Sequence, residues 1–368
     1  MSADLAGAFL ALPPETPQEV IQASLERIHA ASDLPTVLDC LHRWELAAGY
    51  ITREKLEDIE RLVFPDPETG VTFRIQVNHA RTRYTEAQLR EQRTPPPPGP
   101  RPCLLCKDNI GKPGKEALRV YEFPLDGRSR RFYLQLTPFP LYPYHFVPVL
   151  AEHEPQLLNA QSVRDMFDFL RLAPGYTVVS NSDVEWAGAS ILNHLHYQAL
   201  RGVRLPVMDA RPVPELSRRL QGVVVEFLDY PLAAFRCTGS EEEPLRDAGT
   251  SLLELWKSLD PGRNTVNLNL IRTAGPAPGY LLTVLLRNPD YRTPEPLRRF
   301  KSEGVGVIEA SGEAILPVPR DPDAAERWRE IRENGLALTE TLIAGNSPPH
   351  DHARLHALLE ETARRVGG

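Results

Sequence analysis

The chain has 368 residues, enough for one large domain or two of ordinary size, and its 42% hydrophobic and 25% charged residues are typical of globular proteins. A net charge of −7 argues against wholesale nucleic-acid binding, which usually shows a basic excess. No apolar run approaches the roughly 18–20 residues that span a bilayer, and the N-terminus lacks the basic leader of a signal peptide. We therefore expect a cytoplasmic protein without nucleic-acid or membrane partners.

Helices and strands are interspersed along the first half of the chain. Apolar residues at helical spacing predict two helices within 16–48. A proline-rich, extended connector lies at 95–102. Strands are predicted at 71–77, 131–136, 145–150, 176–180 and 194–201, with a helix at 154–172.

The second half repeats this pattern of strands and helices. Strands are predicted at 223–228, 264–272 and 280–287, a hairpin at 304–316, and helices at 243–259, 323–343 and 350–366. Hairpin-like strand pairs favour an α+β fold with an antiparallel sheet and flanking helices over a doubly wound sheet. The two halves are predicted to be diverged copies of one unit. The predicted divisions are an N-terminal helical region (1–70), a catalytic half (71–215) and a second half with C-terminal helices (216–368).

Three polar residues alternate in the segment His194-Leu195-His196-Tyr197-Gln198. On a strand, residues i, i+2 and i+4 share a face, so His194, His196 and Gln198 are predicted to project together. A solvated strand face with incidental histidines is the plain alternative. A neutral imidazole is a good nucleophile toward phosphorus once a hydrogen bond fixes its ring. The Gln198 amide donates hydrogen bonds but cannot protonate a leaving group, which favours transfer between phosphates over hydrolysis.

The loop before this strand has residues suited to a phosphate. Gly188 and Ala189 permit close approach of a ligand to the backbone, and Ser190 and Asn193 carry donors for phosphate oxygens. The sequence therefore predicts that these loop residues contact the phosphate of a substrate.

A second group of residues has the composition of a zinc site. Cys103-x-x-Cys106 is followed by His153 and His194, which together make a Cys2His2 set for tetrahedral zinc. A redox pair and unliganded thiols remain alternatives, although no thioredoxin-like context surrounds the pair. The role of zinc would be structural, since four protein ligands leave no position for water. Cys40 and Cys237 are interpreted as packing residues.

The segment from Gly188-Ala189-Ser190 to Gln198 resembles the active-site strand of the histidine-triad superfamily, in its transferase branch. This branch includes galactose-1-phosphate uridylyltransferase, diadenosine tetraphosphate phosphorylase and the GDP-hexose phosphorylases. GDP-L-galactose phosphorylases carry a nearly identical Asn-His-Leu-His-Phe-Gln stretch. A group of uncharacterised bacterial relatives shares more, including 73–76, 78–81, the cysteine pair and 138–153. The resemblance covers roughly 70–205 well and 260–317 loosely.

The resemblance implies roles for individual residues. His196 would be the nucleophile, Gln198 would hold the phosphoryl group, and zinc would bind the four ligands named above. Nucleotide contacts are implied for Asn78 and Arg81, with Arg74 and Asn181 as further candidates. The chain departs from the uridylyltransferases at Ile191 and Leu192, which lengthen the step from Ser190 to the first histidine and put the Ser190 contact in doubt.

We therefore expect a nucleotidyltransferase or phosphorylase that moves a nucleotide between an NDP-sugar and phosphate or a sugar phosphate through nucleotidyl–His196. A diadenosine polyphosphate phosphorylase is the alternative within this class. Two further functions stay open, a hydrolase and a non-catalytic, zinc-stabilised nucleotide-binding protein. No magnesium-binding motif is evident, and the chain is expected to be a monomer or homodimer. Arg287 and Lys301 are weaker candidates for binding the acceptor's phosphate.

Overall fold

A computed structural model describes residues 2–78, 103–126, 129–188, 191–274, 278–301, 304–319 and 322–367. The helices in these ranges are α1 (Ser2–Leu10), α2 (Gln18–Ala31), α3 (Leu34–Ala47), α4 (Arg53–Glu57), α5 (Ala160–Leu172), α6 (Glu242–Leu259), α7 (Val307–Ala310), α8 (Ala324–Glu333), α9 (Gly335–Gly345) and α10 (His352–Gly367). The strands are β1 (Ile59–Pro65), β2 (Thr72–Asn78), β3 (Tyr121–Pro124), β4 (Arg131–Leu136), β5 (His145–Leu150), β6 (Tyr176–Ser180), β7 (Gln198–Arg201), β8 (Pro212–Leu220), β9 (Val223–Leu228), β10 (Ala234–Gly239), β11 (Thr265–Thr273), β12 (Gly279–Arg287) and β13 (Glu313–Pro317). Within these residues, no helix combines the length and apolarity that a membrane span requires.

One large antiparallel sheet carries the strands of both predicted halves, in the order β3-β4-β5-β7-β6-β11-β12-β10-β9-β8. In the first half, β3, β4 and β5 are neighbours in chain order, α5 follows, and β6 and β7 then add in reversed order. The strands β8, β9 and β10, the helix α6, and the strands β11 and β12 repeat this topology. The α+β prediction is confirmed, and the repeated strand order is what two fused copies of one unit produce. The boundaries at 70 and 215 stay predictions, and β6 pairs with β11 across the second of them.

The N-terminal helices cover one face of this sheet. Helix α2 buries Ile21, Leu25 and Ile28, whose spacing of four and three residues places them on one helix face. These residues pack in the same cluster as Val178 of β6. Helix α3 begins where the Asp33 carboxylate accepts a hydrogen bond of 2.9 Å from the backbone N–H of Thr36.

A smaller sheet covers the opposite face. It has the order β1-β2-β13, with β1 antiparallel and β13 parallel to β2. Its inner residues Phe73 and Ile75 pack in one cluster with Val179 and Leu200 of the large sheet. Because neighbouring residues of a strand face opposite sides, Val178 and Val179 belong to the two different cores.

The predicted strand at 194–201 begins only at Gln198. Before it, the backbone N–H of Leu195 donates to the carbonyl of Glu154 (2.8 Å), and that of His196 donates to Oε1 of Gln156 (2.9 Å). His196 pairs with the large sheet through one bridge to Val149. The predicted strand therefore starts too early, because the N–H groups of Leu195 and His196 donate to the segment before α5.

Three other predicted elements differ from the structure. The helix expected from 154 begins at Ala160, where the Asn159 side chain accepts from the N–H groups of Gln161 and Ser162. The expected hairpin at 304–316 is helix α7 followed by β13, because β13 pairs with β2. The expected helix at 323–343 divides into α8 and α9 at Asn334.

Candidate active site and metal centre

The four predicted zinc ligands lie together, although they come from separate parts of the chain. Their ligand atoms are all within 4.8 Å of one another. Sγ of Cys103 is 3.4 Å from Sγ of Cys106 and 3.2 Å from Nδ1 of His194. Sγ of Cys106 is 3.5 Å from Nδ1 of His153 and 3.7 Å from Nδ1 of His194.

These distances suit a tetrahedral metal ion. With Zn–S bonds of about 2.3 Å and Zn–N bonds of about 2.0–2.1 Å, neighbouring ligand atoms should lie roughly 3.3–3.8 Å apart. The donor set and its spacing therefore fit zinc.

Backbone contacts fix the orientation of the His194 ring. Its Nε2 lies 2.8 Å from the carbonyl oxygen of Leu150. A carbonyl only accepts hydrogen bonds, so Nε2 carries the proton and the lone pair of Nδ1 faces the two sulfurs. Histidine ligands in metal sites commonly have such a second hydrogen bond. His194 thus joins the candidate ligand cluster to β5 and lies two residues before His196.

His196 is buried, with 5% of its surface exposed, and its ring is held in one tautomer. Nδ1 lies 2.8 Å from the carbonyl oxygen of His194, so Nδ1 is the protonated nitrogen. Burial lowers the pKa of His196 to about 4, and the ring is therefore neutral near pH 7. In the described residues, no hydrogen bond engages Nε2. A neutral imidazole whose Nε2 lone pair is available has the form that a nucleophile toward phosphorus needs.

Gln198, at the start of β7, is held by a histidine on the neighbouring strand. Oε1 of Gln198 lies 2.9 Å from Nε2 of His145, the first residue of β5. Within the described residues, no acceptor engages the NH₂ group of Gln198. His196 and Gln198 are two residues apart, on a segment that pairs with both β5 and β6. The predicted pair of polar groups is thus formed, and its phosphoryl contact stays a prediction.

The segment before α5 holds the backbone of His196 through Gln156. The amide of Gln156 accepts from the His196 N–H and donates to Oγ of Ser180 at 3.4 Å. It also lies 3.5 Å from the carbonyl oxygen of Asn181. The side chain of Asn181 in turn accepts from the N–H of Val307, the first residue of α7 (3.2 Å). Gln156 and Asn181 therefore connect the backbone of His196 to the end of β6 and to the second half of the chain.

Gly188 lies in this region in a conformation that only glycine adopts easily. Its φ is +93°, and a Cβ there would be 2.4 Å from the carbonyl oxygen of Val305 and 2.9 Å from a guanidinium nitrogen of Arg287. Arg287 is completely buried, donates to Oδ1 of Asn267 (2.6 Å) and to Val305 (3.0 Å), and has its pKa lowered to about 10 by burial. The glycine loop is thus packed against a buried cation of the second half.

We expect Gly188→Ala to lower the free energy of unfolding by about 2–4 kcal/mol, because positive φ and overpacking both oppose the methyl group. Gly202→Ala is the matched control: Gly202 also has a positive φ, +66°, but no atom lies within 4 Å of the position that a Cβ would take there. It should cost only about 1 kcal/mol. Urea denaturation measures both variants. Equal losses would contradict the close packing of Gly188.

The other predicted contact residues are placed as follows. Asn78 ends β2, is fully buried, and its Nδ2 lies 3.5 Å from Oε1 of Gln76. Arg74 is engaged with the buried carboxylate of Glu313, at 3.3 Å, and donates to the carbonyl of Arg204. Asn193 is exposed. Arg81, Ala189 and Ser190 lie outside the described residues, and all of these ligand contacts stay predictions.

Lys301 and Arg287 are both buried, against the general expectation that such residues are solvated. Lys301 forms an ion pair of 2.6 Å with Glu309, and 1% of its side chain is exposed. The same glutamate accepts from the N–H of Gly306 at 2.7 Å. Lys301 therefore helps to hold the turn before α7, and its predicted contact with an acceptor phosphate is untested.

Sequence reasoning missed two residues that hold the site. Gln156 was assigned to a helix, and His145 was noted only as the start of a strand and part of a shared run. The alternation of His145 with Val147 and Val149 along β5 was a usable signal, since it put a polar side chain on the sheet face of the bridge to His196.

The chain is similar in sequence to proteins of known name. A family model described as a domain of unknown function (DUF4922) matches residues 40–201. Galactose-1-phosphate uridylyltransferase of Lactiplantibacillus plantarum is 26% identical over 317 residues, which are 79% of this chain and 64% of that protein. The Bacillus subtilis enzyme of the same name is 29% identical over 64% of this chain and 49% of its own length. That of Caldanaerobacter subterraneus is 23% identical over 95% of this chain and 71% of its own.

Among solved structures, yeast Ap4A phosphorylase Apa2 in complex with Ap4A has the same fold, with a TM-score of 0.53 at 16% identity. The match covers 85% of this chain and 97% of that one. The chain is thus similar in sequence to the uridylyltransferases and similar in fold to the Ap4A phosphorylase, both of the transferase branch of the histidine-triad superfamily. The expected resemblance is thereby confirmed. The chain spans about half to two thirds of the length of the first uridylyltransferases that it matches.

Proposed function

We propose that this protein is a nucleotidyltransferase or phosphorylase that works through a covalent nucleotidyl–histidine on His196. The observation that carries the proposal is the state of the His196 ring. Its Nδ1–H is held by the carbonyl of His194, its low pKa keeps it neutral, and its Nε2 has no hydrogen-bond partner among the described residues.

In the first step, Nε2 of His196 attacks the α-phosphorus of a nucleoside diphosphate sugar. An N–P bond forms, and the bond from the α-phosphorus to the bridging oxygen breaks. The leaving group is a sugar 1-phosphate, whose oxygen is a weak base and departs without a proton. The proton on Nδ1 stays in place, and the His194 carbonyl stabilises the positive charge that develops on the ring.

In the second step, an oxygen of phosphate or of a sugar phosphate attacks the same phosphorus. The N–P bond breaks and the electron pair returns to Nε2, so His196 is restored with its tautomer unchanged. The amide N–H groups of Gln198 would donate to the phosphoryl oxygens in both steps. An amide has no proton to give to a leaving group, which favours transfer to an acceptor over hydrolysis.

The candidate metal site would support this arrangement by fixing the backbone next to His196. Cys103, Cys106, His153 and His194 would hold zinc, whose role would be to fix the segment that precedes the nucleophile. With four protein ligands the site has no open position for substrate, so the chemistry rests on His196 and Gln198.

A labelling experiment tests the proposal. The protein is incubated with α-³²P-labelled UDP-glucose, GDP-glucose, ADP-glucose and diadenosine tetraphosphate, then denatured in alkali, in which phosphorus–nitrogen bonds survive. We expect acid-labile label on the protein from at least one of these, and its release when phosphate or a sugar 1-phosphate is added. If none of the four labels the protein, the proposal is wrong.

The same panel separates the competing functions. Label from diadenosine tetraphosphate alone would indicate a dinucleoside polyphosphate phosphorylase. Free nucleoside monophosphate without any acceptor would indicate a hydrolase. Binding by calorimetry without label or exchange would indicate a nucleotide-binding protein that has no catalytic role.

A further inference from the structure

The His145 side chain connects Gln198 to the backbone of the loop before β5. Its Nε2 lies 2.9 Å from Oε1 of Gln198, and its Nδ1 lies 3.2 Å from the backbone nitrogen of Leu141. The ring is buried, with 4% of its surface exposed. It therefore links the loop before β5 to the first residue of β7.

The donors and acceptors of this chain are fixed by the chemistry of the groups. The N–H of Leu141 can only donate, so Nδ1 of His145 must be the unprotonated nitrogen. The proton of the neutral ring is then on Nε2, and the atom of Gln198 that faces it must be the carbonyl oxygen. The NH₂ group of Gln198 consequently points away from His145. This conclusion follows from the backbone N–H of Leu141 alone and does not depend on which atom of the Gln198 amide is assigned as oxygen.

We propose that His145 is a positioning residue that fixes the Gln198 amide with its NH₂ group toward the transferred phosphoryl group; this rests on the proposed function. An amide rotated by 180° would present its oxygen to the phosphoryl oxygens, and the two would repel. The two orientations have nearly the same shape, so packing alone distinguishes them poorly. The Nε2–H of His145 distinguishes them by hydrogen bonding.

The loop that orients His145 is itself held by the small sheet. The carbonyl oxygen of Leu141 accepts from Nε2 of Gln76 on β2, at 3.1 Å, and from the guanidinium of Arg61 on β1, at 2.5 Å. Nε2 of Gln76 also donates to Glu313 of β13 at 3.1 Å. The position of the Leu141 backbone, and through it the tautomer of His145, thus depends on strands outside the large sheet.

Two substitutions separate the hydrogen bond from the space that the ring fills. His145→Gln keeps a donor near the position of Nε2, and His145→Phe keeps a planar ring without one. We expect His145→Phe to lower the rate of nucleotidyl labelling about 10- to 100-fold, as for other residues that orient a functional group. The affinity for the unreacted nucleotide should change little, and His145→Gln should keep most of the rate.

His42→Phe is the matched control. His42 is also a buried histidine, and it stacks on Tyr144, the neighbour of His145, at 3.9 Å between ring centroids. No hydrogen bond to its ring nitrogens occurs in the described part of the chain. This variant should label at the wild-type rate, which shows that a local loss of packing is not the cause.

A double-mutant cycle tests whether His145 acts through Gln198. Gln198→Leu should itself slow labelling, and adding His145→Phe should then have no further effect. Independent losses that multiply would overturn the proposal, as would equal rates for His145→Phe and His145→Gln.

A measurement without substrate completes the test. In protein labelled with ¹⁵N-histidine, the spectrum of His145, assigned from the His145→Phe variant, should show the neutral Nε2–H tautomer. The Nδ1–H tautomer, or a protonated ring near pH 7, would overturn the proposal even if the protein is labelled by nucleotide. If no nucleotide labels the wild type, the proposed function fails, and the phosphoryl contact of Gln198 fails with it, whatever tautomer His145 shows.

Discussion

Replacement of His196 by asparagine is expected to abolish the covalent nucleotide label and to lower nucleotidyl transfer by about 10⁴-fold or more, as for other enzymes that lose their nucleophile. Asparagine is chosen because its side-chain NH₂ can still donate to the carbonyl of His194, as Nδ1 of His196 does. The local hydrogen bond is thereby kept, and only the attacking Nε2 is removed. Quantification of acid-labile label and the rate of exchange between nucleotide sugar and labelled sugar phosphate measure the two effects.

The affinity of His196→Asn for nucleotide is the internal control for this experiment. His196 contributes little to binding energy in the proposed mechanism, so calorimetry should give a dissociation constant close to that of wild type. His42→Phe, which replaces another buried histidine, should keep both the label and the exchange rate. Label that persists in His196→Asn would assign the covalent intermediate to a different residue and would refute the proposed mechanism.

The fold class was predictable because the sequence patterns are local. Period-two alternation and turn residues place most strands of the large sheet within a few residues of their observed positions, for example at 131–136 and 176–180. The small sheet was not predictable, because β13 joins β2 in parallel across more than 200 residues of chain. No local pattern encodes such a pairing.

Only part of the candidate site was predictable from the sequence. The spacing of His194, His196 and Gln198 is visible in the sequence, and so is the Cys-x-x-Cys pair. The roles of the residues that orient them are not visible in the same way, since Gln156 and His145 act through hydrogen bonds made across the fold. The burial of Arg287 against Gly188 was also not predictable, because it depends on the packing of β12 against a loop of the first half.

Removal of the metal is expected to have the second-largest effect. It should lower the thermal stability of the protein more directly than it changes the chemical step. The four ligands join three segments of the chain, around Cys103, His153 and His194. We expect stoichiometric zinc in the purified protein. Cys103→Ala/Cys106→Ala should lose it, and the midpoint of thermal unfolding should fall on the order of 10 °C.

The chain offers a matched control for this double substitution. Cys40 and Cys237 are also buried thiols, and both lie outside the described metal cluster. Cys40→Ala/Cys237→Ala makes the same chemical change twice but should keep one equivalent of zinc and should still be destabilised by a strong chelator. Cys103→Ala/Cys106→Ala should not respond to the chelator. If both double variants keep zinc, or if wild type contains none after expression with excess zinc, the cluster is not a zinc site. His196 would then be held by its hydrogen bonds to the carbonyl of His194 and to the side chain of Gln156, without a metal-braced His194.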